Sequence, residues 1–354
     1  MINNNDLKLN KFNSLGAIHI HSKFSDGTGD VIDIAKAAKL AGLDWIIITD
    51  HNNFDVKEGF YDGVLVIKGE EISPNDDNHY LALGIEKYIE PSFNAQENVE
   101  AVRLAGGFGF AAHPDEGVNS KWQSRKNQWR AITWLDKNVH PDGIEIWNWF
   151  SQWGDNLNDK NIFTLAYAYL FKNKLITKPS LKTIKWWDDL NNNSEKIIPA
   201  IGGVDAHAIK PSQYLIPITV FPYKTMFETI TNVITLKEPL TNDFETQKSQ
   251  VLQAIKNGNL MVLNRQVSKD IPIINIKNAT NIATLGEAIK LEKNTILKVQ
   301  LQNKSVIKIF HNGIKIKKEI SKNVEFPLKE TGKYRVEIEQ KNKGFAYSNP
   351  IIVY

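Results

Sequence analysis

The sequence predicts an α/β protein: a β/α barrel of irregular strand count with its polar residues gathered at one end, followed by a small β-sandwich. Three observations carry this expectation. In the first two-thirds of the chain, short apolar runs alternate with stretches of helical period. Those runs finish in His, Asp or Glu. After about Thr241 the pattern changes to short strand-like runs separated by turn signals.

The first run, LGAIHIH, reads as a short buried strand. TGDVIDIAKAAKLAGLDW follows as a helix, with Asp30 and Asp33 favourable in its first turn. WIIITDH is a second apolar strand, and the theme recurs in GVLVIKGEEI and HYLALGI. A helix through NAQENVEAVRLAGG then leads to FGFAAHP, DGIEIWN and IPAIGGVDAHA. Apolar strands alternating with helices imply a parallel sheet covered on both faces. Polar residues at strand C-terminal ends are where barrel enzymes build active sites. Beyond Thr241, FETQKSQVLQAIKNGNLMVLN reads as a last helix and strand. Asn312-Gly313 is a hairpin signal and Thr331-Gly332 another turn, as an Ig-like sandwich requires. The expected division is a barrel over 1–268 and a sandwich over 269–354. Lys315, Lys317 and Lys318 read as strand-edge protection.

With 354 residues, 42% hydrophobic and 23% charged, the chain has the composition of an ordered globular protein. The net charge of +3 comes from scattered lysines, which argues against a nucleic-acid partner. The absence of cysteine excludes disulfides, thiolate metal sites and cysteine nucleophiles. No apolar run approaches the roughly 20 residues that cross a bilayer. Met1–Asn13 carry no signal-peptide pattern, so a cytoplasmic protein is expected.

Six of the eight histidines fall at strand ends or just after them. His19 and His21 form an H-x-H pair on one face of the first strand, with Asp26 in the loop beyond. His51 closes TDH, Glu71 ends KGEE, His79 opens the next strand and His113 sits in AAHP. Asp205 and His207 repeat the two-residue spacing. A single buried histidine is ordinarily a hydrogen-bonded core residue, but six at recurrent strand ends are hard to reach that way. Imidazole nitrogen and carboxylate oxygen suit zinc, manganese or iron. A water shared between two such cations is acidified enough to supply hydroxide near neutral pH, and the cations neutralise charge on transition-state oxygens. His140 and His311 lack such partners and read as surface residues.

The motifs HIHSKFSDG, LDWIIITDHN, GEEIS…HYLALG, AAHP and GGVDAH resemble those of the PHP (polymerase and histidinol phosphatase) superfamily. IEIWN, WWDDL and the trailing YSNPIIVY are most similar to its CehA/McbA-like branch. The resemblance implies a distorted seven-stranded β/α barrel with two or three divalent metal ions at its C-terminal mouth. It assigns His19, His21 and Asp205 to a first metal, and makes Glu71 a bridge to a second held by His79 and His113. Asp26, His51 and His207 go to a third. Glu71, Asp205 and His207 are the expected catalytic residues.

Weaker signals surround this set. Trp147, Trp149 and Trp153 follow the strand GIEI and read either as an aromatic wall for substrate or as barrel packing. Glu145 and Asn148 are candidates to orient a ligand or the substrate, and Lys121 and Arg125 to hold its anionic group. The functional expectation is a phosphoesterase acting on a small organic phosphate. A carboxyl or carbamate ester hydrolase is the alternative, and a non-catalytic glycan- or partner-binding protein the second.

Overall fold

The computed structural model describes residues 12–74, 77–115, 133–156, 170–209 and 219–354. The protein is mixed α/β, with nineteen strands in one hydrogen-bonded network and six α-helices among the described residues. The strands of the first part are β1 (Phe12–Ile20), β2 (Trp45–Ile48), β3 (Gly59–Tyr61), β4 (Val64–Lys68), β5 (Glu70–Ile72), β6 (Tyr80–Leu83), β7 (Phe108–Ala111), β8 (Gly143–Asn148), β9 (Ala200–Ala206), β10 (Ile230–Leu236) and β11 (Leu260–Asn264). The helices are α1 (Val31–Leu40), α2 (Ala95–Leu104), α3 (Trp149–Asp155), α4 (Leu181–Asn192), α5 (Tyr223–Phe227) and α6 (Phe244–Lys256). None is long and apolar enough to cross a membrane.

Strand pairing closes on itself. β1 lies between β2 and β9, both parallel to it. β2 pairs with β4 and bridges to β5 through His51 and Glu71. β5, β6, β7, β8 and β9 then complete the circuit. The expected all-parallel arrangement is corrected at β6, which runs antiparallel to both neighbours. Only the segment 73–79 separates β5 from β6, whereas a parallel crossover needs a dozen residues or more. Helix starts follow local chemistry: Asp30 caps α1 by accepting from the amide of Asp33, and Asp243 caps α6 by accepting from Thr246.

The remaining strands are β12 (Ile273–Lys277), β13 (Ile282–Ala283), β14 (Ala288–Ile289), β15 (Ile296–His311), β16 (Ile314–Pro327), β17 (Gly332–Gln340), β18 (Lys343–Ser348) and β19 (Ile351–Val353). They surround an apolar core of their own that includes Leu297, Ile309, Val336 and Phe345. That core also takes in Val233 of β10 and Met261 and Leu263 of β11. β11 pairs antiparallel with β18, so backbone hydrogen bonds run from the first part into the last.

Candidate metal centre

The strand ends converge on Glu71. Its Oε2 lies 3.2 Å from His19 Nε2, 3.3 Å from His21 Nε2 and 3.1 Å from His51 Nδ1. Its Oε1 lies 2.8 Å from His79 Nδ1 and 3.1 Å from His113 Nε2. One carboxylate therefore touches five imidazoles. Asp205 Oδ1 stands 3.5 Å from His19 Nε2 and 3.2 Å from His21 Nε2. Asp26, at the exposed rim, reaches His207 Nε2 at 3.2 Å and His51 Nε2 at 3.8 Å.

Backbone conformation contributes to this convergence. His19, His113 and Asp205 all have left-handed φ values, of 69°, 28° and 53°. Such conformations are costly for residues with a Cβ and gather where a site over-determines them. Glu70, next to Glu71 and on the opposite strand face, accepts from the Ile89 amide at 2.9 Å. Burial raises its carboxyl to about 8.

The donor atoms form four overlapping groups: His19, His21, Asp205; His19, Glu71, His113; His51, Glu71, His79; and His21, Asp26, His51, His207. The nine residues singled out in the sequence all fall within these groups. The partition differs from that implied by the resemblance, since His79 groups with His51 and His113 with His19.

Several atoms make contact without hydrogen bonding. His19 Nε2, both ring nitrogens of His21 and Glu71 Oε2 are buried and have no hydrogen-bond partner. Orphaned buried lone pairs are expensive unless something else receives them. Imidazole nitrogens and carboxylate oxygens facing one small space suit divalent cations, so the residues fit a metal centre.

The electrostatics agree. Burial would raise Glu71, but His51, His19, His79 and His113 overcome it and hold the carboxyl well below its usual range. Burial would likewise raise Asp205 and Asp26, which the surrounding histidines pull down instead. Burial, with His207 and His51 nearby, lowers His21 to about 3 and keeps its ring neutral. Burial works against charge on His19 and His207 too, yet carboxylates win at both. Glu145, Asp205 and Glu71 raise His19 well above 6.5, and Asp26 and Asp205 bring His207 to about 9. Carboxylate charge in the cluster thus favours positive charge beside it, which a divalent cation can supply.

A supporting set orients these ligands. Glu145 Oε1 lies 2.8 Å from His19 Nδ1, and its Oε2 accepts from the His113 amide at 2.6 Å and from Asn148 Nδ2 at 3.0 Å. A hydrogen at His19 Nδ1 leaves Nε2 to ligate. Glu145 fits only because residue 203 is glycine: a Cβ there would come within 1.4 Å of its Oε1. Asp50, which sequence reasoning missed, is fully buried and accepts from Ser22 N (2.7 Å), Ser22 Oγ (2.6 Å) and Ser25 Oγ (2.6 Å). It pins the loop that carries Asp26. Its place inside TDH, with the two serines of HSKFS opposite, was the signal available.

Of the substrate contacts expected, Lys121 and Arg125 lie outside the described residues. Asn148 caps α3 by accepting from Ser151 N. Trp147 is buried, packs edge-on against Tyr347 at 5.4 Å and donates to Gln152 Oε1 at 2.9 Å. Trp149 and Trp153 pack edge-on against Phe221. Trp147 is also among the residues that line the cavity beside the cluster. His311 stacks on Tyr334 beside the β15–β16 turn, away from the cluster.

A cavity of about 230 Å³ adjoins the cluster, lined by His113, Glu145, Asn148, Gln152, Lys178 and Ser180 among others.

A family model described as PHP domain matches residues 17–211, more than half of the chain. The uncharacterised protein MJ1587 of Methanocaldococcus jannaschii is 27% identical over 149 residues, covering 37% of this chain and 80% of that one. A two-domain Bacteroides vulgatus protein, described as containing a predicted PHP-like metal-dependent phosphoesterase, is 17% identical at a TM-score of 0.45, covering 96% of this chain and 95% of that one. PsfC of Pseudomonas syringae is 13% identical at a TM-score of 0.40, covering 67% and 88%.

Proposed function

Because the chain belongs to the PHP domain family, we propose that it is a metal-dependent hydrolase, a phosphoesterase acting on a small organic phosphate ester. The observation that carries the reading is Glu71, one buried carboxylate in contact with five imidazoles beside orphaned ligand atoms. In this reading the closed circuit of strands is the distorted seven-stranded barrel, residues 269–354 form a sandwich domain, and the branch is the CehA/McbA-like one.

By the resemblance His19, His21 and Asp205 would hold one divalent cation, Glu71 with His79 and His113 a second, and Asp26, His51 and His207 a third, manganese, zinc or iron in each case. The overlapping donor groups would let His51 and His19 share in the Glu71 positions. When bound, the cations acidify water and neutralise charge on phosphoryl oxygens. The chain supplies the rest. Glu71 ties the cation positions together, Asp205 joins the H-x-H pair, and His207 faces the rim with Asp26. Glu145 keeps a proton on His19 Nδ1. No side chain is required as a nucleophile, and spreading charge over several oxygens suits a phosphate ester.

The test is elemental analysis followed by a panel of phosphate monoesters, phosphodiesters and aryl carbamates. Two or three transition metals per chain and turnover of phosphate esters are expected, with loss on chelation and recovery with manganese, zinc or iron. Less than one metal per chain after reconstitution would overturn the metal centre. Turnover of an aryl carbamate alone would move the substrate class to the carbamate ester hydrolases.

A further inference from the structure

The cavity beside the cluster has a far wall built from Thr177 to Ser180, and the C-terminal strands hold that wall in place. Gly344 N, on β18, donates to Thr177 O at 2.7 Å, and Lys343 Nζ donates to Lys174 O at 2.7 Å. Lys178 Nζ reaches Glu339 Oε1, on β17, at 2.7 Å. On the inner side Thr177 N donates to Gln152 Oε1 at 2.9 Å, and Gln152 Nε2 donates to Lys178 O.

Lys178 is the only lysine or arginine among the described residues lining this cavity. The carboxylates around it are already engaged. Glu145 serves His19, His113 and Asn148; Asp115 accepts from Ser180 Oγ; and Asp155 has partners of its own. The lysine is engaged in a different way. Lys308 Nζ also reaches Glu339 Oε1, at 2.6 Å, so two ammonium groups share one carboxylate oxygen. That trio keeps one positive charge. If Lys178 swings toward a ligand, Glu339 remains paired with Lys308 and no buried carboxylate is stranded. The Lys178 side chain is 39% exposed, so its own ion pair is weak and its release is cheap.

We infer that Lys178, released from Glu339, binds a second anionic group, a carboxylate or a second phosphate, on the leaving-group side of the substrate, and that Glu339 on the C-terminal strands holds it at the cavity wall until the ligand arrives. This rests on the phosphoesterase reading in taking the cluster as the place of the scissile phosphate. Lys178 stands in the wall of a small polar cavity that adjoins the candidate metal cluster, so its ammonium, once released from Glu339, fits a ligand with an anion at each end.

The test uses non-hydrolysable probes, so that it does not depend on turnover. Binding of phosphonoacetate and of methylphosphonate to the full-length, metal-loaded protein is compared by calorimetry in wild type, Lys178→Ala, Lys178→Arg and Glu339→Gln. Wild type should favour phosphonoacetate at least tenfold. Lys178→Ala should reduce that preference to less than threefold at unchanged metal content, and Lys178→Arg should restore most of it. Glu339→Gln should shift it by a smaller factor. Equal affinities in wild type, or a preference that persists in Lys178→Ala because the carboxylate sits on the metals, would overturn the inference. A phosphoesterase panel failing on its own would bring down the functional reading instead.

Discussion

Two clusters of buried charge sit in this molecule and are satisfied in opposite ways. Between α4 and β17, Arg335 donates from Nε and Nη2 to the two oxygens of Asp188, both at 2.7 Å, and from Nη1 to Glu337 at 2.6 Å. Its guanidinium lies over the rings of Phe310 and Trp187. Each nitrogen has an acceptor, and the cluster is complete as built. The cluster around Glu71 is as buried at its centre and open only at the Asp26 rim, yet three carboxylates and six imidazoles press together there with four atoms unpartnered. Burial alone does not mark a functional site. What separates the two is whether the polar atoms are closed upon one another or left facing a common space.

The contrast can be broken from either side. Arg335→Met should produce the largest loss of stability, about 3–5 kcal/mol, because it strands the buried Glu337 carboxylate and the half-buried Asp188 carboxylate. Urea denaturation measures this, and metal content should not change. A variant that lost metals instead would erase the distinction. Glu71→Gln should do the reverse, costing metal affinity more than the roughly 10- to 100-fold typical of an orienting partner. Glu70→Gln is the control, expected to keep its metals.

Asp50→Ala should fall in that lesser range, roughly 10- to 100-fold, and confine its effect to the cation nearest Asp26. Stoichiometric metal titration separates one lost site from a general loss. The last effect, small for any one step of pH, is a pH slope. His207 is raised to about 9, so a cation at its group must displace a proton at lower pH. Affinity there should fall about tenfold per pH unit below that value and level off above it. In the metal-free protein the same shift contributes stability that is fully present below about 6.5 and lost as pH rises through 9. A titration flat between pH 7 and 9 would show that His207 carries no proton to be displaced.

The convergence of His19, His21, His51, His79 and His113 was legible because apolar runs ending in the same residue types leave a local trace. What the sequence does not display are relations between distant positions. The antiparallel turn of β6 follows from a short connection and was in principle countable. The pairing of β11 with β18 joins residues more than eighty positions apart and has no local signature. Asp50 looked like part of a strand end until its two serine partners came into view. The tryptophans read either as a substrate wall or, more readily, as packing, since composition cannot say which ring already has a neighbour.

Gly203 links positions 145 and 203 in a way that reaches beyond this one molecule. A Cβ at 203 would fall inside the glutamate that holds His19 and His113. While position 145 carries glutamate, position 203 is closed to the other nineteen residues. A shorter acid at 145 would open 203 but surrender its grip on His19. Neither position can drift by itself, so a lineage that changes this corner must change both residues together or pass through a crippled intermediate. The two positions form one inherited unit, although they lie 58 positions apart along the chain.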